Sequence, residues 1–274
     1  MRRFLQFPVL CLAVGALAAC EPDHVIETVV PPTAGVRFIH AVPDTGALDF
    51  RFVDLPENSN FGNRTFRLTA NLYYKGARAG ERHLRIFRTG TTVEVASTVV
   101  KDTVVNLEAG KRYTFILWGY ATPGSNPPMR LTVIEDDPAD PGTQIALRVV
   151  NAGVGLGPVD VSQYPNGGDV PGTATWSAVP EFGVSSYITA ATGQKRYRVM
   201  PAGGGAALFA DPLAPAGDPG TVDIEGIPGT TVAGSAVSGF VVPRSVAGSG
   251  ATNFTTPSLF FLWDRRPPRT CSLC

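Results

Sequence analysis

Histidine, the commonest general base, occurs in this chain only as His24, His40 and His83. His24 precedes the first strand-like run, and His83 alternates with Leu84 and Ile86 on the polar side of a strand. His40 is the one with company. It stands beside the turn Pro43-Asp44-Thr45-Gly46 and nine residues before Asp49. A His–Asp pair can orient a general base, and a hydrolase would also need a placed nucleophile. The sequence contains no Gly-x-Ser-x-Gly elbow, no His-Glu-x-x-His and no glycine-rich phosphate loop. The expectation is a protein that is not an enzyme and needs no cofactor, with a hydrolase using His40 as the remote alternative.

Metal and thiol chemistry have few residues to work with. Glu135, Asp136, Asp137 and Asp140 cluster in a Pro-rich stretch and are weak candidates for calcium, which takes six to eight oxygen ligands. They lack the regular spacing of a calcium loop, and a solvated acidic linker is the ordinary reading. Cys271 and Cys274 form a lone C-x-x-C. The second ligand pair that a four-coordinate zinc site needs is missing, and so is the βαβ setting of a redox motif. A small disulfide loop in an oxidising compartment is the reading adopted. Trp263-Asp264-Arg265-Arg266 reads as a strand end with a snorkelling charged rim.

The elements that would position these residues occur twice. Arg37-Phe38-Ile39-His40-Ala41 matches Arg148-Val149-Val150-Asn151-Ala152, and twelve residues after each Arg comes an Asp, Asp49 and Asp160. Gly80–Phe87 matches Gly193–Met200, and Val105–Glu108 matches Val222–Glu225 more loosely. Asn151 in place of His40 points to a hydrogen-bonding role that either side chain fills. Asp49 and Asp160 read as turn caps accepting from backbone N–H groups, or as a ligand position used twice. Short β-branched and aromatic runs fall at 36–41, 48–53, 83–88, 93–99, 112–120 and 129–134. In the second copy they fall at 145–152, 159–164, 185–190, 196–200, 221–225, 230–242 and 258–263. Gly and Pro number 30 and 24 of 274 residues, as expected of many turns and few helices. About seven strands per copy predict an all-β chain of two tandem immunoglobulin-like antiparallel β-sandwich domains, with a barrel as the alternative. The expected boundaries are 35–135 and 144–264, joined by an acidic Pro-rich linker at 136–143 and followed by a tail at 265–274.

The start of the chain reads as an address. Arg2 and Arg3 precede an apolar run to Ala19 that is too short and interrupted to span a bilayer permanently. Residues 1–19 are expected to be a signal peptide. Leu17-Ala18-Ala19-Cys20 resembles the lipobox of bacterial lipoproteins. That resemblance implies lipid on Cys20, cleavage before it, a tether over 20–34 and a place at the outer membrane or cell surface. Several acyl chains on one residue would anchor stably. Without Arg2 and Arg3 the chain has 21 basic and 23 acidic residues, a net charge of −2. That balance offers no reason to expect nucleic acid as a partner.

The run from Val36 to Phe50 also resembles the opening of the bacterial domain-of-unknown-function family numbered 4397: an Arg-bearing strand, His-Ala, a Pro-Asp turn, then a strand carrying Asp. The strand near residue 80 and Ala109-Gly110-Lys111-Arg112-Tyr113-Thr114 share the likeness. The second copy keeps Arg148, Ala152 and Asp160 but lacks the latter run. The resemblance implies exported β-sandwich modules, often in tandem, and brings no activity with it. The functional expectation is a membrane-anchored, non-enzymatic binding or adhesion module for an envelope protein or glycan, or else a structural spacer.

Overall fold

Strands follow one another in the order that the duplicated sequence implies. In the computed structural model, residues 30–55, 60–70, 72–221 and 223–268 are described. The first copy contains β1 (Thr33–His40), β2 (Leu48–Phe52), β3 (Phe61–Arg64), β4 (Lys75–Arg78), β5 (Gly80–Arg88), a one-turn helix α1 (Val93–Ala96), β6 (Val99–Leu107), β7 (Arg112–Trp118) and β8 (Arg130–Glu135). The second contains β9 (Ile145–Asn151), β10 (Val159–Pro165), β11 (Trp176–Val179), β12 (Ile188–Ala190), β13 (Lys195–Pro201), β14 (Ala236–Val242) and β15 (Ser258–Arg265).

They assemble into four sheets, ordered β3-β2-β5-β6, β4-β1-β7-β8, β12-β9-β14-β15 and β11-β10-β13. The all-β sandwich reading holds, and no barrel forms. The sheets are not purely antiparallel, however: β1 runs parallel to β7, and β9 parallel to β14, in matching registers. Thus Arg37 lies opposite Thr114, and Arg148 opposite Ser238.

Three apolar layers lie between the four sheets. Phe38, Phe50, Leu84, Ile86 and Phe115 fill the first copy, with the Phe38 and Phe115 rings 4.7 Å apart. Leu147, Val149, Val161, Tyr197 and Val199 fill the second. The third layer joins the copies: Ile39, Ile116 and Trp118 pack with Val150, Phe240 and Val242. The two middle sheets therefore bury both faces, so β9 is buried at every position. A strand with two covered faces reads as a continuous apolar run rather than an alternating one. From Pro32 onward the described chain forms one compact unit rather than two separate bodies.

Sequence and structure part in three places. Residues 93–99, expected as a strand, begin as α1, because Thr92 caps the turn by accepting from the Val95 N–H and the chain must reverse before β6. The loose third block fails as a strand match: Val105–Leu107 belongs to β6, whereas the described residues of 221–225 lie in turns with Thr221 N–H donating to the Ile224 carbonyl. In place of β6 the second copy lays residues 208–214 along β13, with Leu208 N–H bonded to Val199 O and Ala214 N–H to Lys195 O. Strands β3, β4, β6 and β11 were not anticipated; β6 follows the run expected at 93–99, and the other three are only four residues long and hold Gly62, Gly76 or a positive-φ residue. Among the described residues no helix is long and apolar enough to cross a membrane.

Candidate functional site

The expected acidic linker is partly a core. Asp136 is buried, as is Asp264 at the corresponding place in the second copy. Each accepts from the other copy's first strand: Arg37 donates to Asp264 at 2.5 Å, and Arg148 donates to Asp136. The Nε of Arg37 bonds Thr114 Oγ1 at 2.7 Å, and that of Arg148 bonds Ser238 Oγ at 2.6 Å. Tyr74 donates to Asp136 at 2.8 Å and Tyr187 to Asp264 at 2.9 Å, while each ring lies 4.5 Å from a guanidinium. The eight groups thus follow a pseudo-twofold axis. Burial works against the charge on Arg37, but Tyr74, Asp264 and Asp136 hold its pKa above the ordinary value. Burial and then Asp264 likewise push Tyr187 up. With every charge paired and every hydroxyl bonded, this cluster fixes how the copies face each other.

The calcium candidates do not converge. Glu135 pairs with Lys111 at 3.1 Å, Asp140 with Arg265 at 2.6 Å, and Asp136 with the buried arginines. Among the described residues no group of three or more His, Cys, Asp or Glu is placed for a metal ion. Cys20, His24, Cys271 and Cys274 lie outside the described residues.

His40 and Asn151 make the same two bonds. His40 Nδ1 accepts from Val42 N–H at 3.2 Å, and Nε2 faces Gly46 O at 3.1 Å. Asn151 Oδ1 accepts from Gly153 N–H at 3.1 Å, and Nδ2 donates to Gly157 O at 2.9 Å. Both nitrogens of His40 are engaged with backbone, and burial lowers its pKa to about 4. Asp49 and Asp160 are equivalent too. Asp49 accepts from Asn63 N–H at 2.7 Å and Thr89 Oγ1 at 2.6 Å; Asp160 accepts from Ala178 N–H at 2.7 Å and Gly203 N–H at 2.9 Å. Asn63 and Ala178 both have positive φ, 50° and 48°, so each Asp secures a strained residue beside a bulge. The structure places His40 and Asp49 in separate hydrogen-bond networks: His40 bonds backbone at both nitrogens, while Asp49 bonds Asn63 N–H, Thr89 Oγ1 and Arg51.

The shared axis gives the body two unlike ends. Residues 32–33, 110–112, 136–142 and 265–268 gather at the base, where Arg112 donates to Asp264 O at 2.6 Å. The loops 41–46, 119–129, 152–158 and 243–257 gather at the tip. There the second copy's long loop grips the first: Gly250 N–H bonds Thr45 O at 3.1 Å, Arg67 donates to Thr256 O at 2.8 Å, and Phe254 lies 4.3 Å from the Arg67 guanidinium. Asp44 accepts from Ala121 N–H at 2.7 Å and Thr122 N–H at 2.8 Å, and Glu181 accepts from Gly155 and Gly157 at 3.1 and 3.2 Å. Replacing Asp44 by Ala should therefore raise hydrogen exchange at Ala121 and Thr122 by about tenfold or more, with unchanged exchange in β9; unaltered exchange at both amides would contradict the assignment.

A cleft of about 470 Å³ opens at this tip on the seam between the copies. Pro43, Val154, Leu156 and Pro243 form apolar parts of its wall, and Tyr120, Arg244, Thr255 and Thr256 bring polar side chains. Gly155, at φ 80°, lets its loop approach closely, since a Cβ there would lie 3.1 Å from the Tyr120 hydroxyl oxygen. Sequence reading passed over Tyr120 and Arg244, because neither belongs to a motif and 123 residues of chain separate them.

No curated protein matches the chain. Among solved structures, one described as "The Bacillus anthracis TIE protein" aligns at 9% identity and a TM-score of 0.21, covering 79% of this chain and 33% of that one. The chain thus spans about a third of that protein's length. Residues 34–162, from β1 through most of β10, match one copy of the family described as "Domain of unknown function (DUF4397)".

Proposed function

We propose that this chain is an exported, lipid-anchored protein of the cell envelope whose paired β-sandwiches act as a non-enzymatic binding module. The observation that carries this reading is the polarity of the body: the sandwich begins at the base, and loops from both copies meet at the opposite tip. A lipid on Cys20 would anchor the chain ahead of β1, whose first residue lies at the base. Loops on a rigid scaffold are the usual carriers of recognition, and these are braced by Asp44, Glu181 and Arg67. Two copies locked by a buried ionic cluster resist bending, which suits presentation at a distance from a lipid surface.

The anchor and the module are tested separately. Changing Cys20 to Ala should move the protein from the membrane to the soluble envelope fraction; retention in the membrane would overturn the anchor. For the module, photo-crosslinkers in cells at exposed Thr122 and Thr255 of the tip should capture an envelope component that probes at Arg85 on the outer sheet do not. Equal or absent capture at all three positions would overturn the binding reading and leave a spacer.

A further inference from the structure

Resting on the binding-module reading, we propose that the tip cleft binds the C-terminal carboxylate of an extended peptide with an apolar last residue. The walls are partly apolar, and a volume of about 470 Å³ lies in the range of small-ligand sites. Arg244 is exposed at the rim with no carboxylate in ion-pair reach among the described residues. The Tyr120 hydroxyl makes no hydrogen bond to a described residue and stands ready as a donor. A guanidinium and a phenol, lining one cleft beside Val154, Leu156, Leu208 and Val246, complement one anionic head on a partly apolar body.

The surrounding charge narrows the class further. Asp44 and Glu181 lie close enough to act on Tyr120, opposing Arg244. Both oxygens of Asp44 and Oε2 of Glu181 are engaged with backbone N–H groups, and neither carboxylate ion-pairs with Arg244. Their field nevertheless disfavours a multiply charged anion such as a phosphate monoester, while a single carboxylate can still pair with Arg244. Thr255 and Thr256 line the cleft and are exposed, so a chain bound at Arg244 can lead past them to solvent. A terminal carboxylate with one apolar side chain meets these conditions; an internal peptide segment offers Arg244 a charge only through an Asp or Glu side chain.

The test uses the chain from residue 21 onward and the probe acetyl-Ala-Ala-Leu, with a free carboxylate or as its amide, followed by calorimetry or NMR. The acid should bind and the amide should bind about tenfold or more weakly, the ratio expected when one charged hydrogen bond is lost. Arg244→Gln should erase the preference for acid over amide while leaving the melting temperature unchanged. Inorganic phosphate should not compete. Equal binding of acid and amide, no binding of either, or a preference that survives Arg244→Gln would each overturn the proposal. Tip-specific crosslinking in cells alongside such a failure would leave the broader binding function standing with a different ligand.

Discussion

Replacing Asp264 by Ala should lower the melting temperature by roughly 10 °C. The carboxylate accepts from Arg37, Tyr187 and Ser238, all within the seam. Its loss leaves two guanidinium groups to share Asp136, whose nearest oxygen to Arg37 is 3.6 Å away. Removing one partner of a buried ion pair costs about 3–5 kcal/mol, and in a body of this size each kcal/mol is worth about 2–4 °C. Asp136→Ala should give a loss of similar size, because the arrangement is pseudo-symmetric. Asp140→Ala, which breaks an exposed pair with Arg265, should shift melting by no more than about 2 °C. If Asp264→Ala and Asp140→Ala melt alike, the cluster is not what locks the copies together.

Stability should also fall on acidification from pH 6.5 to 4, and His40 should account for much of the loss. Its pKa is lowered to about 4 in the folded state, chiefly by burial, with Arg64 adding to the effect while the Gly46 carbonyl and Asp44 oppose it. The unfolded chain binds the proton near pH 6.5 and the folded one only near pH 4. Between those values the unfolded state holds more protons, so stability rises with pH. The contribution is complete above pH 6.5 and is lost as pH falls towards 4, amounting to about 3 kcal/mol. Asn is the side chain that the second copy places at the same point, and it does not titrate. His40→Asn should keep the fold and flatten the urea midpoint across pH 4.5, 5.5 and 6.5. An unchanged slope in that variant would rule out the assignment.

The strands were largely legible because their apolar runs and turns are local. The duplicated positions were legible because a spacing of twelve residues recurs intact between Arg37 and Asp49 and between Arg148 and Asp160. What escaped was pairing at long range. Asp264 lies 227 residues from Arg37, and no periodicity reports such a contact. A signal existed all the same: Arg37 and Arg148 each interrupt an apolar strand, and an arginine flanked by Val, Phe or Ile needs a buried partner. The four-residue strands escaped for the opposite reason, since β3 reads Phe-Gly-Asn-Arg and has no apolar alternation to detect.

The pseudo-twofold seam makes this chain resemble a symmetric homodimer joined head to foot into one polypeptide. A dimer of separate chains weakens on dilution; here the partner can never diffuse away, so melting should be independent of protein concentration. Covalent joining also removes the requirement that both halves be identical. By strand register Tyr120 and Arg244 are equivalent positions, each three residues beyond Leu117 and Val241, which pair with His40 and Asn151. Two separate identical chains would place two tyrosines or two arginines across the axis. Fusion allows one phenol and one guanidinium to line a single cleft, giving a symmetric frame an asymmetric cleft.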